Sequence, residues 1–325
     1  MTNQAAWLDE KGSRLRVGDA QEAKAGHNEV VIKNHAIAIN PVDWKQQDNG
    51  WFIKQYPVIL GCDISGEITE VGSGVSKFKA GDRVIGHCTA LGTGDNKNGA
   101  YQLYSVLPGE RVAKIPSSMS FEQAAVLPLA ISTAADGLYK SASEGMLGLP
   151  YPTADTKPSN KVLVVYGGSS SVGAITIQLA TASGARVIAL ASERNFQFDS
   201  DVVDKVVNAV QKLGGDFVGV YDAISLEDQS YHITVPILDK LGKGNLAVTL
   251  PPPKQSLKSG KAGNVFAITK TTDPVWNDFV EPALASGKLR AIPPPLVVGS
   301  GLEAVQKGCD ENKKGVSAKK VVIKL

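Results

Sequence analysis

The chain has 325 residues, 43% of them hydrophobic, so it is long enough to bury a large core and to form about two domains. Its net charge is only +2, from 34 basic and 32 acidic residues mixed along the chain, which argues against nucleic acid and anionic membranes as partners. Three widely spaced cysteines, Cys62, Cys88 and Cys309, disfavour a disulfide framework and a C-x-x-C zinc lobe.

The first part of the chain predicts a small β-barrel. Between Val30 and Val112, short β-rich runs alternate with glycine turns, as at 30–33, 65–72 and 82–86. The pattern changes at Ser120, which resembles a helix cap, because an alanine-rich helical segment follows it. A domain boundary is therefore expected near this point.

The second part predicts a doubly wound parallel sheet. A β-branched run at 162–165 breaks into the turn Gly-Gly-Ser-Ser-Ser-Val-Gly at 167–173 and continues as a helix to 183. A buried strand over 185–191 completes a βαβ unit. Further strands and helices alternate after it, with helices from 200 and 228 and strands at 217–222 and 245–250.

The chain returns to a barrel-like strand at 321–325, so the second domain is inserted into the first. The predicted bounds are 1–125 plus 291–325 for the barrel domain and 126–290 for the inserted domain. The lysine-rich end, 313–324, is interrupted by apolar residues and predicts a solvated strand face.

The segment from Ser192 to Gly215 is unusually short for this fold. Its 24 residues carry one obvious helix, where a dinucleotide-binding fold usually has a helix, an edge strand and a second helix. The break falls near Phe198 and Asp199, which indicates either residues absent from the sequence or a natural deletion.

The glycine turn has the features of a dinucleotide-phosphate site. Its glycines allow a close approach to a pyrophosphate, its serines offer hydroxyl donors, and the N–H groups at a helix start attract anions. The pattern is a degraded G-x-G-x-x-G with Ser170 at the middle glycine. By itself it is weak evidence, and a plain strand-turn-helix corner remains an alternative.

No run of about 18 apolar residues predicts a membrane span. The polar start, residues 1–4, lacks the charged and then apolar pattern of a signal peptide. A cytoplasmic location is therefore expected.

Taken together, these segments resemble the medium-chain dehydrogenase/reductase superfamily over nearly the whole chain. The motifs that carry the resemblance are the glycine turn and AINPVDWK (38–45), GCDISG (61–66), GDRV (81–84) and AAVLP (124–128). A fungal branch of zinc-free, toxin-cluster and trans-acting enoyl reductases is similar at GLPYP (148–152), YGGSSSVG (166–173) and GVSAKK (315–320). The implied fold is α/β, a GroES-like β-barrel catalytic domain with an inserted doubly wound Rossmann nucleotide-binding domain.

The resemblance also bears on metal binding. Zinc-dependent relatives bind catalytic zinc through a cysteine and a histidine, at positions that are Asn40 and Cys62 here. An amide is a poor zinc ligand, and a lone cysteine is more typical of a buried thiol. A polar loop at 91–99 replaces the four-cysteine zinc lobe. His87 and Cys88 are adjacent, but no second close pair of possible zinc ligands accompanies them in the sequence. We therefore predict a metal-free enzyme.

The predicted cofactor is NADPH. Ser192 and Arg194, at the end of the second strand of the βαβ unit, suit a 2′-phosphate, whereas Glu193 keeps NADH open as an alternative. The resemblance implies that the cofactor is bound by Val42, Asp43, Lys45, Gly168, Ser169, Ser170, Ser171, Val172, Ser192, Arg194, Asn195, Thr249, Leu250, Val316, Ser317 and Ala318.

Without a metal, alcohol oxidation lacks its Lewis acid, whereas hydride transfer to an electron-poor alkene needs hydrogen-bond donors and a proton. The resemblance places Asn40, Lys45 and Thr133 beside the reacting groups, and Tyr56 is a candidate proton donor. The alternatives are a surface lysine at 45, a threonine bonded to its own helix at 133 and a packing role for Tyr56.

These features predict an NADPH-dependent, zinc-independent reductase of α,β-unsaturated carbonyl (enoyl) compounds in fungal secondary metabolism. Its substrate would be a small enone or an acyl-carrier-bound chain, with a polyketide synthase as partner. A quinone oxidoreductase on the same scaffold and a non-catalytic nucleotide-binding protein remain alternatives, and so do a monomer and a homodimer. The four histidines form no nucleophile motif, which disfavours hydrolysis.

Overall fold

The computed structural model describes residues 2–153, 155–191 and 201–325, which form two compact units. The barrel unit consists of Met1–Leu129 and Arg290–Leu325, and the parallel-sheet unit of Ala130–Leu289. The predicted break at Phe198 and Asp199 lies outside the described residues.

The strands of the described residues are β1 (Asn3–Leu8), β2 (Arg16–Ala20), β3 (Glu29–Ala38), β4 (Val58–Ile59), β5 (Asp63–Val71), β6 (Arg83–His87), β7 (Tyr104–Pro108), β8 (Val112–Lys114), β9 (Lys161–Tyr166), β10 (Arg186–Leu190), β11 (Asp216–Asp222), β12 (Asn245–Val248), β13 (Ala262–Asn264), β14 (Pro295–Ser300) and β15 (Lys320–Lys324). The α-helices are α1 (Pro41–Asn49), α2 (Ala90–Thr93), α3 (Phe121–Ala124), α4 (Pro128–Tyr139), α5 (Ser171–Ala182), α6 (Val202–Leu213), α7 (Tyr231–Leu241), α8 (Val280–Ala285) and α9 (Val305–Lys314). None of these helices has both the length and the apolar character that crossing a bilayer requires.

The barrel unit is built around strand β3. Within the described residues its larger sheet has the order β14-β15-β3-β5-β6-β8, with β7 also pairing along β3, and a smaller sheet has the order β2-β1-β4. The core receives buried side chains from the second chain segment, namely Leu302, Val305, Cys309, Val321 and Ile323. The residues after Arg290 are therefore an integral part of this unit.

The other unit contains a parallel sheet with the order β10-β9-β11-β12-β13 in the part of the chain that is described. Val162 and Val164 pack into a cluster with α6 and α7. Leu163 and Val165 point the other way and are equally buried, so both faces of β9 are covered. The predicted doubly wound parallel sheet is confirmed.

β10, the strand that follows β9 in the chain, pairs with one edge of β9, and the next strand, β11, pairs with the opposite edge. Such a reversal creates a crevice at the carboxyl ends of the strands, where open α/β sheets bind ligands. The glycine turn at 167–173 lies at this point. No strand among the described residues pairs with the outer edge of β10.

The lysine-rich end differs from its prediction as a solvated strand face. Lys313 and Lys314 are exposed but end helix α9 rather than belonging to a strand. Lys320, the first residue of β15, is only 4% exposed, because its side chain reaches the buried carboxylate of Asp63. The prediction is wrong at these positions and holds for Lys324 at the other end of the strand.

Candidate functional site

Helix α1 and the residue that precedes it, Asn40, carry four of the predicted site residues, and local chemistry fixes where the helix starts. Pro41 occupies the first helical position, where its ring is already in helical conformation. The Asn40 N–H donates to the Asp43 carboxylate at 2.7 Å, which closes the helix start. Gly50, in the left-handed region with φ 71°, ends the helix.

Asn40 belongs to a buried polar group that we call the Asn40–Asp63–Lys320 cluster. Its Nδ2 donates to Asp63 Oδ2 at 2.8 Å, and its Oδ1 accepts from Lys320 Nζ. The Lys320 ammonium also lies 3.0 Å from Asp63 Oδ2. Asp63 further accepts the Leu129 N–H at 2.6 Å. All three side chains are at most 4% exposed.

Strand register brings this cluster together from positions as much as 280 residues apart. Ala38 on β3 pairs with Asp63 on β5 and with Val322 on β15. Side chains alternate along a strand, so Lys320, two residues before Val322, and Asn40, two after Ala38, lie on the same side as Asp63.

The donor set does not fit a catalytic metal. Asn40 uses both ends of its amide within the cluster, and Cys62 is 2% exposed, with a thiol pKa raised well above its usual value by burial. His87 is fully buried, which lowers its pKa to about 3. The described residues contain no group of three or more His, Cys, Asp or Glu side chains that could hold a metal ion.

Asp43 is a second buried carboxyl beside this cluster. It is fully buried and accepts from the Tyr101 hydroxyl at 2.7 Å as well as from Asn40 N–H. Burial outweighs these donors and raises the Asp43 pKa to about 7. Sequence analysis predicted Asp43 as a cofactor contact; in the structure it holds the start of α1 against Tyr101.

Lys45 lies half-buried between two tryptophans. Its Nζ is 5.5 Å from the ring centroids of both Trp44 and Trp51, within the range of cation–π attraction. Loss of hydration lowers the Lys45 pKa. Tyr56, the candidate proton donor, is partly buried and packs against the barrel core.

A shallow cavity that encloses about 20 Å³ lies next to Cys62 within the barrel unit. Apolar side chains from several elements line it, among them Phe52, Ile53, Leu60 and Leu91, and Lys54 is one of its polar residues. Phe52 is 57% exposed and has a φ of 61°, which is unusual for a residue with a large side chain. The cavity therefore presents apolar side chains at its mouth and encloses space for only about one water molecule.

In the parallel-sheet unit, the glycine turn has the geometry of an anion site. Gly167 has φ 77°, and Ser170 caps α5 by accepting the Gly173 N–H at 3.0 Å. A Cβ on Gly173 would lie 2.2 Å from the Gly167 carbonyl oxygen, so only glycine fits. The Ser171 hydroxyl is buried and finds no partner in the described part of the chain. A helix start with such a hydroxyl fits the pyrophosphate of a dinucleotide.

Thr249 lies just after β12 at the same edge of the sheet, where a buried serine holds it. Its N–H donates to Ser225 Oγ at 2.8 Å. The Asp222 carboxylate, at the end of β11, accepts the Ser225 N–H at 2.8 Å, and its own pKa is raised by burial. Sequence analysis missed Ser225, although its position three residues after a strand-ending aspartate is typical of a side-chain-stabilised turn.

The remaining predicted residues are placed as follows. Thr133 lies in α4, where its carbonyl accepts the Tyr221 hydroxyl at 2.7 Å. The segment 316–318, with Ala318 at φ 49°, connects α9 to β15, and Leu250 follows Thr249. The glycine turn contains Gly168, Ser169 and Val172, and helix α1 contains Val42. Three predicted cofactor-binding residues lie outside the described ranges, namely Ser192, Arg194 and Asn195.

Comparison with known proteins adds relatives of similar length. Residues 26–117 match the family described as the alcohol dehydrogenase GroES-like domain. The chain is 47% identical to dehydrogenase orsE of Emericella nidulans, covering 100% of this chain and 99% of that one. It is 40% identical to trans-enoyl reductase himH of Aspergillus japonicus, with 100% and 98% covered. An alcohol dehydrogenase superfamily protein from Novosphingobium aromaticivorans has the same fold, with a TM-score of 0.76 at 20% identity over the whole of both chains.

Proposed function

Because this chain belongs to the medium-chain dehydrogenase/reductase superfamily of oxidoreductases, we propose that it is an NADPH-dependent, zinc-independent enoyl reductase. Its fold is the predicted GroES-like β-barrel with an inserted Rossmann domain. The proposed substrate is an α,β-unsaturated carbonyl compound of fungal secondary metabolism, either free or carried by a polyketide synthase. The observation that carries the proposal is the Asn40–Asp63–Lys320 cluster, in which the amide at a zinc-ligand position is engaged at both ends and the neighbouring Asp63 carboxylate is paired with the Lys320 ammonium.

The parallel-sheet unit supplies the residues that would bind the cofactor. Backbone N–H groups at 169, 171 and 172 and the unpartnered Ser171 hydroxyl suit the pyrophosphate, whereas the N–H groups of 168 and 170 already donate to the carbonyls of 190 and 167. Thr249, held by Ser225, and Leu250 would support the nicotinamide end, and Ser192, Arg194 and Asn195 the 2′-phosphate. When bound, NADPH supplies the hydride that is added to the alkene carbon furthest from the carbonyl.

The barrel unit supplies the groups for the substrate. As the alkene accepts a hydride, negative charge develops on the carbonyl oxygen, and nearby donors stabilise it. Asn40 uses one of its two Nδ2 hydrogens on Asp63, and the other has no acceptor among the described residues. Lys45 carries positive charge at a lowered pKa, so it can donate a proton to the adjacent carbon more readily than an ordinary lysine. Thr133, which belongs to the parallel-sheet unit, carries a further hydroxyl that the family resemblance assigns to the carbonyl.

Quinone reduction is the second candidate. It is favoured by the exposed aromatic side chains Trp51 and Phe52, which could stack on a planar ring beside the cavity. A nucleotide-binding protein without turnover uses the same fold and differs only in activity.

One assay separates these three functions. NADPH absorbance is followed with a panel of enones, a panel of quinones and buffer alone. We expect enone-dependent oxidation, with deuterium from labelled NADPH recovered on the β-carbon of the saturated product. Preferential turnover of quinones would favour the second candidate, and no consumption with any acceptor would exclude both enzymes.

The preference for NADPH is tested by Arg194→Ala. If the guanidinium binds the 2′-phosphate, the variant loses about tenfold or more in affinity for NADPH and less than about twofold for NADH. Lys212→Ala, which removes an exposed cation from α6, is the control and should bind both cofactors normally. Equal losses for the two cofactors in Arg194→Ala would contradict the assignment.

A further inference from the structure

We propose that Lys320 is a positioning residue that fixes the Asn40 amide for the reaction, with Asp63 as its counter-charge. The inference rests on the proposed reductase function, in which the remaining Asn40 Nδ2–H donates to the substrate carbonyl. Neither Lys320 nor Asp63 needs to touch the substrate, because both act through Asn40.

The chemistry of the two partners allows the Asn40 amide only one orientation. The Lys320 ammonium has donors alone and meets the amide oxygen, while the Asp63 carboxylate has acceptors alone and meets the amide nitrogen. Rotating the amide by half a turn would place donor against donor and acceptor against acceptor. The second Nδ2–H is therefore held in one direction.

The surroundings make this arrangement rigid. Asp63 comes from β5 and Lys320 from β15, the strands on either side of β3, and Asn40 directly precedes helix α1. Asp63 is also held by the Leu129 N–H at 2.6 Å. A catalytic donor needs to be placed within a fraction of an ångström, and side chains on neighbouring strands provide that precision.

Stability alone gives no reason for such a pair. Replacing a buried ion pair by neutral groups of similar size is often neutral or stabilising, whereas removing one partner leaves an uncompensated charge. A neutral replacement would keep the fold but would no longer offer an ammonium to the Asn40 oxygen. The two roles of Lys320 can therefore be separated by mutation.

The test compares Lys320→Met with the double variant Lys320→Met/Asp63→Asn, each with and without Asn40→Ala. The control is Lys324→Met, which removes a half-exposed lysine from the same strand. Melting temperature, KM for NADPH and the single-turnover rate of NADPH oxidation with an enone are measured for each protein.

We expect Lys320→Met to lower the melting temperature by several degrees, and the double variant to recover most of that loss. The single-turnover rate of the double variant should stay about tenfold to a hundredfold below wild type, with KM for NADPH within about twofold. In the Asn40→Ala background the neutral pair should have no further effect on the rate, because Lys320 acts through Asn40. Lys324→Met should match wild type in rate and KM, and its melting temperature should fall by no more than about 2 degrees, because it breaks only the surface ion pair with Glu122.

A double variant that regains the wild-type rate together with its stability would overturn the inference and leave the reductase function standing. A wild-type protein that fails to oxidise NADPH with any of the acceptors would overturn both the inference and the reductase function. If the double variant does not fold, Lys320→Arg replaces it. This variant keeps the charge, but its larger head must displace Asn40, so an unchanged single-turnover rate in a folded Lys320→Arg protein would also overturn the inference.

Discussion

At the scale of single residues, Asp43 is the group whose burial links stability to pH. Its usual pKa is 3.8, and burial raises the value in the folded chain to about 7. Between these two pH values the folded state holds a proton that the unfolded state has lost. The free energy of unfolding therefore falls as pH rises through this window, by about 1.4 kcal/mol per pH unit.

Asp43→Asn should remove this dependence. The amide oxygen can still accept from Asn40 N–H and the Tyr101 hydroxyl, since both donors meet the same carboxylate oxygen. The free energy of unfolding, measured with urea, should rise in the variant relative to wild type from about pH 4 to pH 7. The difference should reach up to about 4 kcal/mol and then level off. A difference that stays constant with pH would contradict the assignment.

Tyr101→Phe is the companion variant. It keeps the Asp43 carboxyl but removes a donor that stabilises its charged form, so the Asp43 pKa should rise further. The loss of stability with rising pH should persist and extend to higher pH than in wild type, again measured by urea unfolding.

The sequence identified Asn40 as a site residue but gave no sign of what holds it. Lys320 lies in a run of lysines that predicts a solvated strand, and nothing local distinguishes it from Lys324 on the same side of β15. Its burial follows from the pairing of β15 with β3, a contact across most of the chain. Asp63 belongs to the motif GCDISG, but its contact with Lys320 could not be predicted, because this contact also depends on the pairing of β15 with β3.

At the scale of secondary-structure elements, the glycine turn should be intolerant of side chains. Gly173→Ala would place a Cβ 2.2 Å from the Gly167 carbonyl oxygen, so either the turn or the start of α5 must move. We expect about tenfold or greater loss of NADPH affinity, measured by fluorescence titration. Gly109→Ala is the control, because its Cβ meets Val75 at an ordinary 3.4 Å, and it should bind NADPH normally.

The segment after α1 should set the length of substrate that the enzyme prefers. Phe52 lines the cavity in a strained backbone conformation, so Phe52→Gly and Phe52→Ala both remove the ring but only glycine relieves the strain. Both variants should lose about tenfold in kcat/KM for enones with long apolar chains and little for short ones. Thermal unfolding should show Phe52→Gly to be the more stable by about 1 kcal/mol. Equal losses for long and short enones would contradict this role.

The central elements were predictable because buried parallel strands are continuous apolar runs, as at β9 and β11. The ends of the strands and helices were less predictable from the sequence. The predicted strand over 245–250 stops at Val248, because the Thr249 N–H is bonded to Ser225 rather than to a neighbouring strand. The helix predicted from Asp228 begins at Tyr231, after a turn in which the Leu226 carbonyl accepts backbone N–H groups from 229–231.

At the scale of the whole molecule, the two units differ in how the chain builds them. The parallel-sheet unit is one continuous segment, Ala130–Leu289, and contains its entire sheet. The barrel unit needs both ends of the chain, because β15 pairs with β3 and β14 pairs with β15 in its larger sheet. Independent folding should therefore be possible for one unit and not for the N-terminal part of the other.

Expressed alone, residues 130–289 should unfold cooperatively on heating, as followed by circular dichroism, because all residues of the hydrophobic cluster around β9 lie within this segment. Residues 1–129 alone should show no cooperative transition. They lack the core side chains of α9 and β15, and Asp63 would be buried without the Lys320 ammonium. Adding Asp63→Asn to this fragment should not rescue folding, since the missing strands still leave an edge of β3 unpaired. A cooperative transition in residues 1–129 would show that the barrel core forms without the C-terminal segment, and the ion pair would then have no part in its assembly.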